Sequence, residues 1–350
     1  MIYLFNLLFI PFYYWLITFK TKNNHNRNIV FAFVVCMHAV IFRALANPFN
    51  YVDTEGYASG FNEISKMSFN EAILSVNFYT HWGQGYLLFN WIIGRFTQEA
   101  KYLFIVSSFI GVIPVVWFYY KTSYKLLLPI LMYLSYPMMY YMGFGVLREH
   151  LAVPFTLLSL YYIDRLKISV PLAITAMLFH TSAIIIFPFY FWKKLNFSSK
   201  NVIKTLSVIF LAVIVMRLAM GYVLSFMPKY EAIVQSKDSQ NNIIPVLLLG
   251  LVSLFIYSLD SRKISGISEI IRKYIYYGFV VSLFSIGIAG LGRLTIYFIY
   301  VIPVAVSLFM AYNRNVLRKS ILFFSILLIY IRQIIYFTEV KNFEYTFFWE

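Results

Sequence analysis

The chain has little charge, and acidic charge is the scarcest. Only 12% of its 350 residues are charged, with 14 Asp and Glu against 29 Lys and Arg. Soluble domains carry about 25% charged residues. The longest polar stretch, residues 47–80, is too short to bury a core of its own. The composition therefore excludes a soluble domain.

Cysteine is almost absent as well. The only one, Cys36, lies inside an apolar run, which excludes a disulfide framework and a thiolate metal site. The formal net charge of +15 does not indicate nucleic-acid binding, because most Lys and Arg residues stand in short loops between apolar runs. That distribution is typical of the cytoplasmic loops of a polytopic membrane protein.

Long apolar runs are what the chain has in abundance. Hydrophobic residues make up 61% of it, and several uncharged runs approach the roughly 20 residues that a membrane-spanning helix needs. Their apolarity is continuous rather than alternating, which favours helices. We predict an all-α polytopic membrane protein in the lipid bilayer, with about 10 to 13 transmembrane or re-entrant helices. Residues 1–350 would form a single integral membrane domain.

The topology follows from the apolar runs and the charges between them. Two regions are ambiguous, because 82–96 is short for a span and 168–192 has His180 at its middle. We favour a re-entrant segment for the first and a hairpin turning at His180 for the second; ordinary spans are the alternative. The basic loop 20–28 is placed in the cytoplasm, so loop 47–80 is periplasmic. The predicted spans are 2–19, 29–46, 102–120, 126–147, 151–163, 202–227, 243–259, 274–292, 294–312 and 320–337.

The outer loop 47–80 contains an amphipathic pattern. Apolar residues from Phe61 to Val76 fall near one helical face, and polar residues fall on the other. This pattern predicts an amphipathic helix that lies in the membrane interface or packs on the bundle. In either position it would frame an outer cavity.

Four basic residues stand against short hydrophobic segments: Arg148, His180, Arg217 and Arg293. A cation at the centre of a membrane helix costs about 3 kcal/mol on insertion scales, and such residues usually face a polar cavity. The sequence therefore predicts a functional site with an anionic ligand. The alternatives are snorkelling at a helix end for Arg148 and Arg293, an ion pair for Arg217 and a core hydrogen bond for His180.

Several short motifs resemble those of a known family. Residues 148–152 (Arg-Glu-His-Leu-Ala), which we expect to open a helix, and 179–183 (Phe-His-Thr-Ser-Ala) resemble the paired Arg-x-x-Leu-Ala and Phe-His-x-Ser-Ala signatures of EpsG/Wzy-type polysaccharide polymerases. Segments 53–57, 83–90 and 292–298 resemble the family's Asp-Thr…Tyr loop, Glu-x-Gly-Tyr segment and Gly-Arg…Tyr-Phe helix start. Gln84 departs from the pattern, which has Glu there, so it is given no acid role.

The resemblance implies a GT-C-like helical bundle and a glycosyltransferase acting as an O-antigen polymerase. Such an enzyme joins undecaprenyl-pyrophosphate-linked oligosaccharide repeat units of O-antigen or a related surface polysaccharide. The reaction takes place on the periplasmic face of the bacterial inner membrane and releases undecaprenyl pyrophosphate. The resemblance implies no cofactor, no nucleotide sugar and a separate chain-length regulator as partner.

Two tasks of this reaction point to candidate residues. The leaving pyrophosphate gains negative charge, which the guanidinium fork of arginine matches. The acceptor hydroxyl must lose a proton, and imidazole titrates near neutral pH. His180 is the preferred base, with Asp53 and Glu149 as carboxylate alternatives. The candidate pyrophosphate ligands are Arg148 and Arg293, then Arg217, and last Arg43, which otherwise reads as a membrane-edge residue.

Acidic and aromatic residues in and just after the outer loop suggest two further features. Asp53 and Glu55 resemble acidic pairs that hold a divalent metal in some GT-C enzymes. Two carboxylates are a thin coordination set for a hard cation, so we predict no metal. The aromatic residues from Tyr79 to Trp91 would either stack on sugar rings or form an interfacial belt.

Other functions remain open at this point. A flippase for the same lipid-linked glycan also needs cations in a cavity, although no two-lobed repeat is visible. An O-antigen ligase shares the outer arginine and histidine but usually carries a larger late loop than residues 229–242. A membrane O-acetyltransferase would carry a Ser-Gly-Phe signature that this sequence lacks. A non-enzymatic subunit of a polysaccharide assembly complex is the remaining alternative.

Overall fold

The protein is an all-α polytopic membrane protein. The computed structural model describes residues 2–21, 23–51, 53–74, 79, 82–194, 243–259, 264–285, 289–339 and 345–347. Within these ranges the regular structure is helical, apart from an isolated bridge between Ala46 and Phe347. Among the described helices, three are long and apolar enough to cross a membrane, or four if a bent pair counts as one span. The predicted span 202–227, which contains Arg217, lies outside the described residues.

One compact unit comprises Met1–Ile184 and Leu327–Glu350. Its helices pack in a continuous series, α1 on α2, α2 on α5, α5 on α7 and α7 on α8, with α4 against both α3 and α8. They are α1 (Ile2–Lys20), α2 (Asn24–Ala44), α3 (Thr54–Ile64), α4 (Gln84–Gly94), α5 (Lys101–Thr122), α6 (Leu127–Ser135), α7 (Leu147–Tyr161) and α8 (Leu166–Phe179).

The second compact unit comprises Ile185–Ile326. In it, α10 packs on α11 and α13, and α11 also contacts the 3-10 helix Ala289–Thr295. Its helices are α9 (Ile186–Trp192), α10 (Ile243–Tyr257), α11 (Ile267–Ser285), α12 (Ile296–Ile299) and α13 (Ile302–Tyr312). The last helix, α14 (Val316–Glu339), contributes residues to both units.

The prediction of a single span over 126–147 is wrong. Helix α6 ends at Ser135, a short 3-10 helix covers Tyr141–Phe144, and α7 begins only at Leu147. Tyr136 has φ −90° and ψ 115°. It precedes Pro137, and the proline ring disfavours helical backbone in the residue before it. The break therefore has a local cause that continuous apolarity concealed.

The predicted span 294–312 is also divided. The helical segment Gly292–Ile299, which includes α12, meets α13 at a bend of 44°. Pro303 stands at the start of α13, where its missing N–H is tolerated but the preceding helix cannot continue unchanged. The two pieces together pass the test for one broken span or a re-entrant loop.

The two ambiguous regions contain short helices. Helix α4 has 11 residues, so it is about 16 Å long, which is well below the thickness of a bilayer core. This length agrees with the re-entrant segment that we favour for 82–96. In 168–192 the helix ends at Phe179, and His180 is extended, with φ −151° and ψ 122°. The break at His180 is where the sequence placed it, and the hairpin itself stays a prediction.

The predicted amphipathic helix of the outer loop is interrupted. Helix α3 ends at Ile64, and after a turn the chain forms a short π-helix, Asn70–Leu74. The apolar residues Phe61 and Ile64 are fully buried, and α3 packs against α4. This part of the loop is therefore packed on the bundle.

The segment Tyr345–Phe347 lies on the end of α2 and the loop after it. Phe347 forms an antiparallel bridge with Ala46, and the Asn47 N–H donates to the Thr346 carbonyl at 2.8 Å. Asn50 Nδ2 donates to Thr346 Oγ1 at 2.6 Å. The predicted topology places loop 47–80 and the segment after the last span, 320–337, on the periplasmic side of the membrane. The contacts between the two segments agree with this topology.

We expect Asn50→Cys and Thr346→Cys, each in a Cys36→Ser background, to react with a membrane-impermeant maleimide added to intact cells. The two side chains are hydrogen-bonded to each other and must lie on one side of the membrane. Arg314→Cys, in a loop predicted to be cytoplasmic, should react only after permeabilisation. Labelling of Asn50→Cys but not Thr346→Cys before permeabilisation would contradict the pairing.

Candidate active site

The start of α7 places two charged residues side by side. Arg148 and Glu149 lie in its first turn, directly after the break that follows α6. Glu149 is buried, whereas Arg148 is half-buried. A carboxylate is favoured at a helix N-terminus, where the free N–H groups and the helix dipole are positive. The predicted helix start at Arg148 is confirmed.

Arg148 is held by a tyrosine of the outer loop. Its Nε donates to the Tyr57 hydroxyl oxygen at 3.5 Å. Tyr57 is buried on α3, and its ring meets those of Trp82 and Tyr86 edge-on, at centroid distances of 5.5 and 5.6 Å. The aromatic contacts fix the phenol, and the phenol in turn orients the guanidinium.

Charges from several elements act on Tyr57. Burial raises the pKa of its phenol, the adjacent Arg148 lowers it, and Asp53 and Glu149 raise it further. The net direction is upward, so the phenol stays protonated at neutral pH. It can therefore accept the hydrogen bond from Arg148 and still hold its own proton.

His180 stands between Glu149 and Ser182. Its Nε2 lies 3.5 Å from Glu149 Oε1, and its Nδ1 lies 2.5 Å from Ser182 Oγ. The exposed fractions are 14% for the His180 side chain and 7% for that of Glu149. Each ring nitrogen of His180 therefore lies close to a polar side chain, a carboxylate on one side and a hydroxyl on the other. The predicted base and one of its carboxylate alternatives thus form one unit.

Asp53, the other carboxylate alternative, is the residue before α3. It is exposed and adopts the left-handed conformation, with φ 68°. Among the residues that the structure describes, no other non-glycine residue has a positive φ. Such strained positions cluster at functional sites. Asp53 acts electrostatically on Tyr57 and therefore belongs to the same region as Arg148.

The sequence offered a membrane-edge position as the alternative for Arg43, but the structure places this residue inside the bundle. It is 5% exposed, and its Nη2 donates to the Gly143 carbonyl, in the break before α7. A Cβ added at Gly143 would come 2.5 Å from Arg43 Nη1, and one at Gly111 would come 3.1 Å from it. The absence of a side chain at Gly143 therefore leaves room for the guanidinium. Its predicted contact with pyrophosphate stays a prediction.

The other two candidate arginines are Arg293 and Arg217. Arg293 belongs to the second unit, where it is exposed on the 3-10 helix Ala289–Thr295. Arg217 lies outside the described residues. Their roles as pyrophosphate ligands stay predictions.

The aromatic residues before α4 are less accessible than the sequence suggested. Trp82 and Tyr79 are buried with ring centroids 4.7 Å apart, and a Cβ at Gly60 would overlap the Trp82 ring. Trp82 thus packs on α3 and supports Tyr57, which leaves little of its face for a sugar.

Two residues of this site were not predicted from the sequence. Tyr57 belongs to the motif at 53–57 and Ser182 to the motif at 179–183. Neither motif indicates which side chains these two residues contact. In the described parts of the chain, no three His, Cys, Asp or Glu side chains are grouped so that they could hold a metal ion.

Comparison with known proteins identifies the family. The model of the EpsG family matches residues 33–348, which is most of the chain. No curated protein and no solved structure matches the chain.

Arg43→Met should lower the thermal stability of the purified protein in detergent. The substitution removes a charge-assisted hydrogen bond to a buried carbonyl, which contributes about 1.5–3 kcal/mol. Arg165→Met, at an exposed arginine, should leave the unfolding midpoint unchanged. Equal midpoints for Arg43→Met and the wild type would show that the contact with Gly143 does not support the fold.

Proposed function

We propose, since the chain belongs to the EpsG family, that this membrane protein polymerises a bacterial surface polysaccharide. The family indicates a polysaccharide polymerase-like role and a glycosyltransferase-like activity. In the proposed reaction, the donor is a growing glycan on undecaprenyl pyrophosphate and the acceptor is the next lipid-linked repeat unit. The product is O-antigen or a related polymer, and undecaprenyl pyrophosphate leaves.

Arg148 suits the leaving group. When the bond between the anomeric carbon and pyrophosphate breaks, negative charge accumulates on the phosphate oxygens. A guanidinium held in place stabilises this charge without reorganising during the reaction. Arg148 stands in the first turn of α7, where backbone N–H groups also favour anions, and Tyr57 fixes its Nε.

The pair of Glu149 and His180 suits the acceptor. The acceptor hydroxyl gives up its proton as its oxygen bonds to the anomeric carbon, and a positioned base accelerates this step. The carboxylate and the imidazole lie 3.5 Å apart and can take up that proton together. This pair, next to Arg148 along the chain, is the observation that carries the proposal.

The same pair supports a transferase over a flippase. A flippase needs cations that bind the pyrophosphate, but it moves no proton to or from a sugar hydroxyl. A buried carboxylate–imidazole pair beside the arginine therefore favours a transferase. An O-antigen ligase performs similar chemistry on another acceptor and is the nearer alternative.

The location and partners belong to the same proposal. The enzyme would lie in the inner membrane with the site facing the periplasm, because the acidic loop with Asp53 is predicted there. It would use no metal, because arginine side chains would face the pyrophosphate instead, and it would bind no nucleic acid. A separate chain-length regulator would act with it.

The surface polysaccharide of a deletion strain tests the function. Wild-type protein should restore a ladder of polymer lengths on a gel, and Arg148→Ala and His180→Ala should leave core plus a single repeat unit. Arg165→Ala should restore the ladder, because that arginine is exposed and outside the site. A deletion strain without any band above the core would indicate a flippase or ligase. Restored ladders for both site variants would contradict the assignment of the site.

The proton-transfer pair can be tested separately. Glu149→Gln keeps the shape but removes the charge, so chain elongation in isolated membranes should slow by about 10²–10⁴-fold. Ser182→Ala should cause a smaller loss, because Glu149 still holds the ring, and Ser182→Thr should retain activity. Wild-type rates for Glu149→Gln would exclude Glu149 from the reaction.

A further inference from the structure

We propose that the segment from Gly83 to Tyr86 is the positioning element of the site and fixes both the Glu149–His180 pair and Arg148. This inference rests on the proposed function for its effect on catalysis. The segment is one of the motifs noticed in the sequence, and its departure from the family pattern, Gln84, removes an acid role. What the structure shows of this segment is its close approach to the end of α8.

Gly83 and Gly85 touch the backbone at the end of α8. A Cβ added at Gly83 would lie 2.8 Å from the Leu178 carbonyl oxygen, and Gly83 has a φ of +91° that favours glycine. A Cβ added at Gly85 would lie 2.8 Å from the Leu178 carbonyl carbon. Contacts this short are not tolerated, and backbone atoms cannot rotate away. The two glycines thus allow α4 to approach α8 more closely than any other residue would.

Leu178 transmits this contact to His180. His180 follows Leu178 by two residues, and its N–H donates to the Ala176 carbonyl at 3.0 Å, so it stays attached to the last turn of α8. A displacement of Leu178 relative to α4 therefore moves the imidazole. The 3.5 Å distance to Glu149, on α7, would change with it.

Tyr86 transmits the position of the same segment to Arg148. The N–H of Tyr86 donates to the Gly83 carbonyl at 3.1 Å, which ties the tyrosine to the glycine turn. Tyr86 is fully buried, and its ring contacts that of Tyr57, whose hydroxyl accepts from Arg148. One short segment is thus connected to both halves of the site.

Gly85→Ala is the variant that tests the inference. The added methyl would push α4 and α8 apart, and a displacement of about 1 Å at a reacting group can lower a rate by about 10²-fold. Membranes carrying each variant would be supplied with lipid-linked oligosaccharide extracted from the deletion strain. We expect kcat to fall by about 10²-fold, with a much smaller change in KM. Gly83→Ala is the second variant and should act in the same direction.

Two glycine substitutions serve as controls. Gly94, at the other end of α4, is as crowded as Gly85, since its Cβ would lie 2.5 Å from Ser65 Cβ. Gly94→Ala disturbs the same helix away from His180 and should cost stability but leave kcat near wild type. Gly56, on α3, has open space around its Cβ position, so Gly56→Ala should change neither quantity.

A second measurement reports position without using activity. Glu149→Cys and His180→Cys are combined in a Cys36→Ser background and treated with a short bifunctional thiol reagent. The cross-linked peptide is then quantified by mass spectrometry. Adding Gly85→Ala should lower the yield, whereas adding Gly94→Ala should not.

The outcomes separate this inference from the proposed function. If Gly94→Ala lowered kcat and the cross-linking yield as much as Gly85→Ala does, the effect would come from general packing of α4. That result would overturn the inference. Wild-type kcat and cross-linking with both Gly83→Ala and Gly85→Ala would also overturn it. A lower cross-linking yield with Gly85→Ala, together with full activity of Arg148→Ala and His180→Ala, would support the positioning contact and reject only the proposed role of the site.

Discussion

The arrangement depends on the burial of one carboxylate, that of Glu149. A carboxylate removed from water is costly unless it is paired, so a partner must stay within reach. The first turn of α7 favours its charge, and His180 at the end of α8 faces it. Helices α7 and α8 must therefore keep their relative position. Ser159 and Ser169 lie on α7 and α8 at the ends of these helices away from Glu149 and His180. The hydroxyl of each serine donates to the carbonyl of the other, which helps to fix the relative position of the two helices.

The polar groups gather where helices begin or end. Arg148 and Glu149 open α7, His180 follows α8, and Asp53 precedes α3. In a protein surrounded by lipid, backbone groups without helical partners are tolerated only inside protein or beside a polar cavity. Arg43 satisfies one of them by donating to the Gly143 carbonyl. A buried arginine away from the carboxylate pair thus stabilises the irregular segment from which α7 starts.

Local signals predicted the helical class, the opening of α7 at Arg148 and the break at His180. The division of 126–147 was predictable too, because Tyr136 precedes Pro137, but the uniform apolarity of the segment outweighed that signal. The contact between Glu149 and His180 and that between Arg148 and Tyr57 were not predictable. Each joins residues of different helices, and their distances are set by packing that no short motif encodes. The burial of Arg43 likewise rests on its contact with Gly143, a residue 100 positions away in the sequence.

The neighbouring positions of Arg148 and Glu149 have a geometric consequence for the proposed transfer. Successive residues of an α-helix are rotated by about 100°, so the two side chains leave α7 in different directions. Arg148 turns toward Tyr57 on α3, and Glu149 turns toward His180 after α8. In a displacement at an anomeric carbon, the departing pyrophosphate and the entering hydroxyl also lie at different positions around that carbon. The rigid start of α7 can therefore hold two groups at a fixed angle to each other. Arg148 stabilises the charge on the pyrophosphate, and Glu149, with His180, takes up the proton.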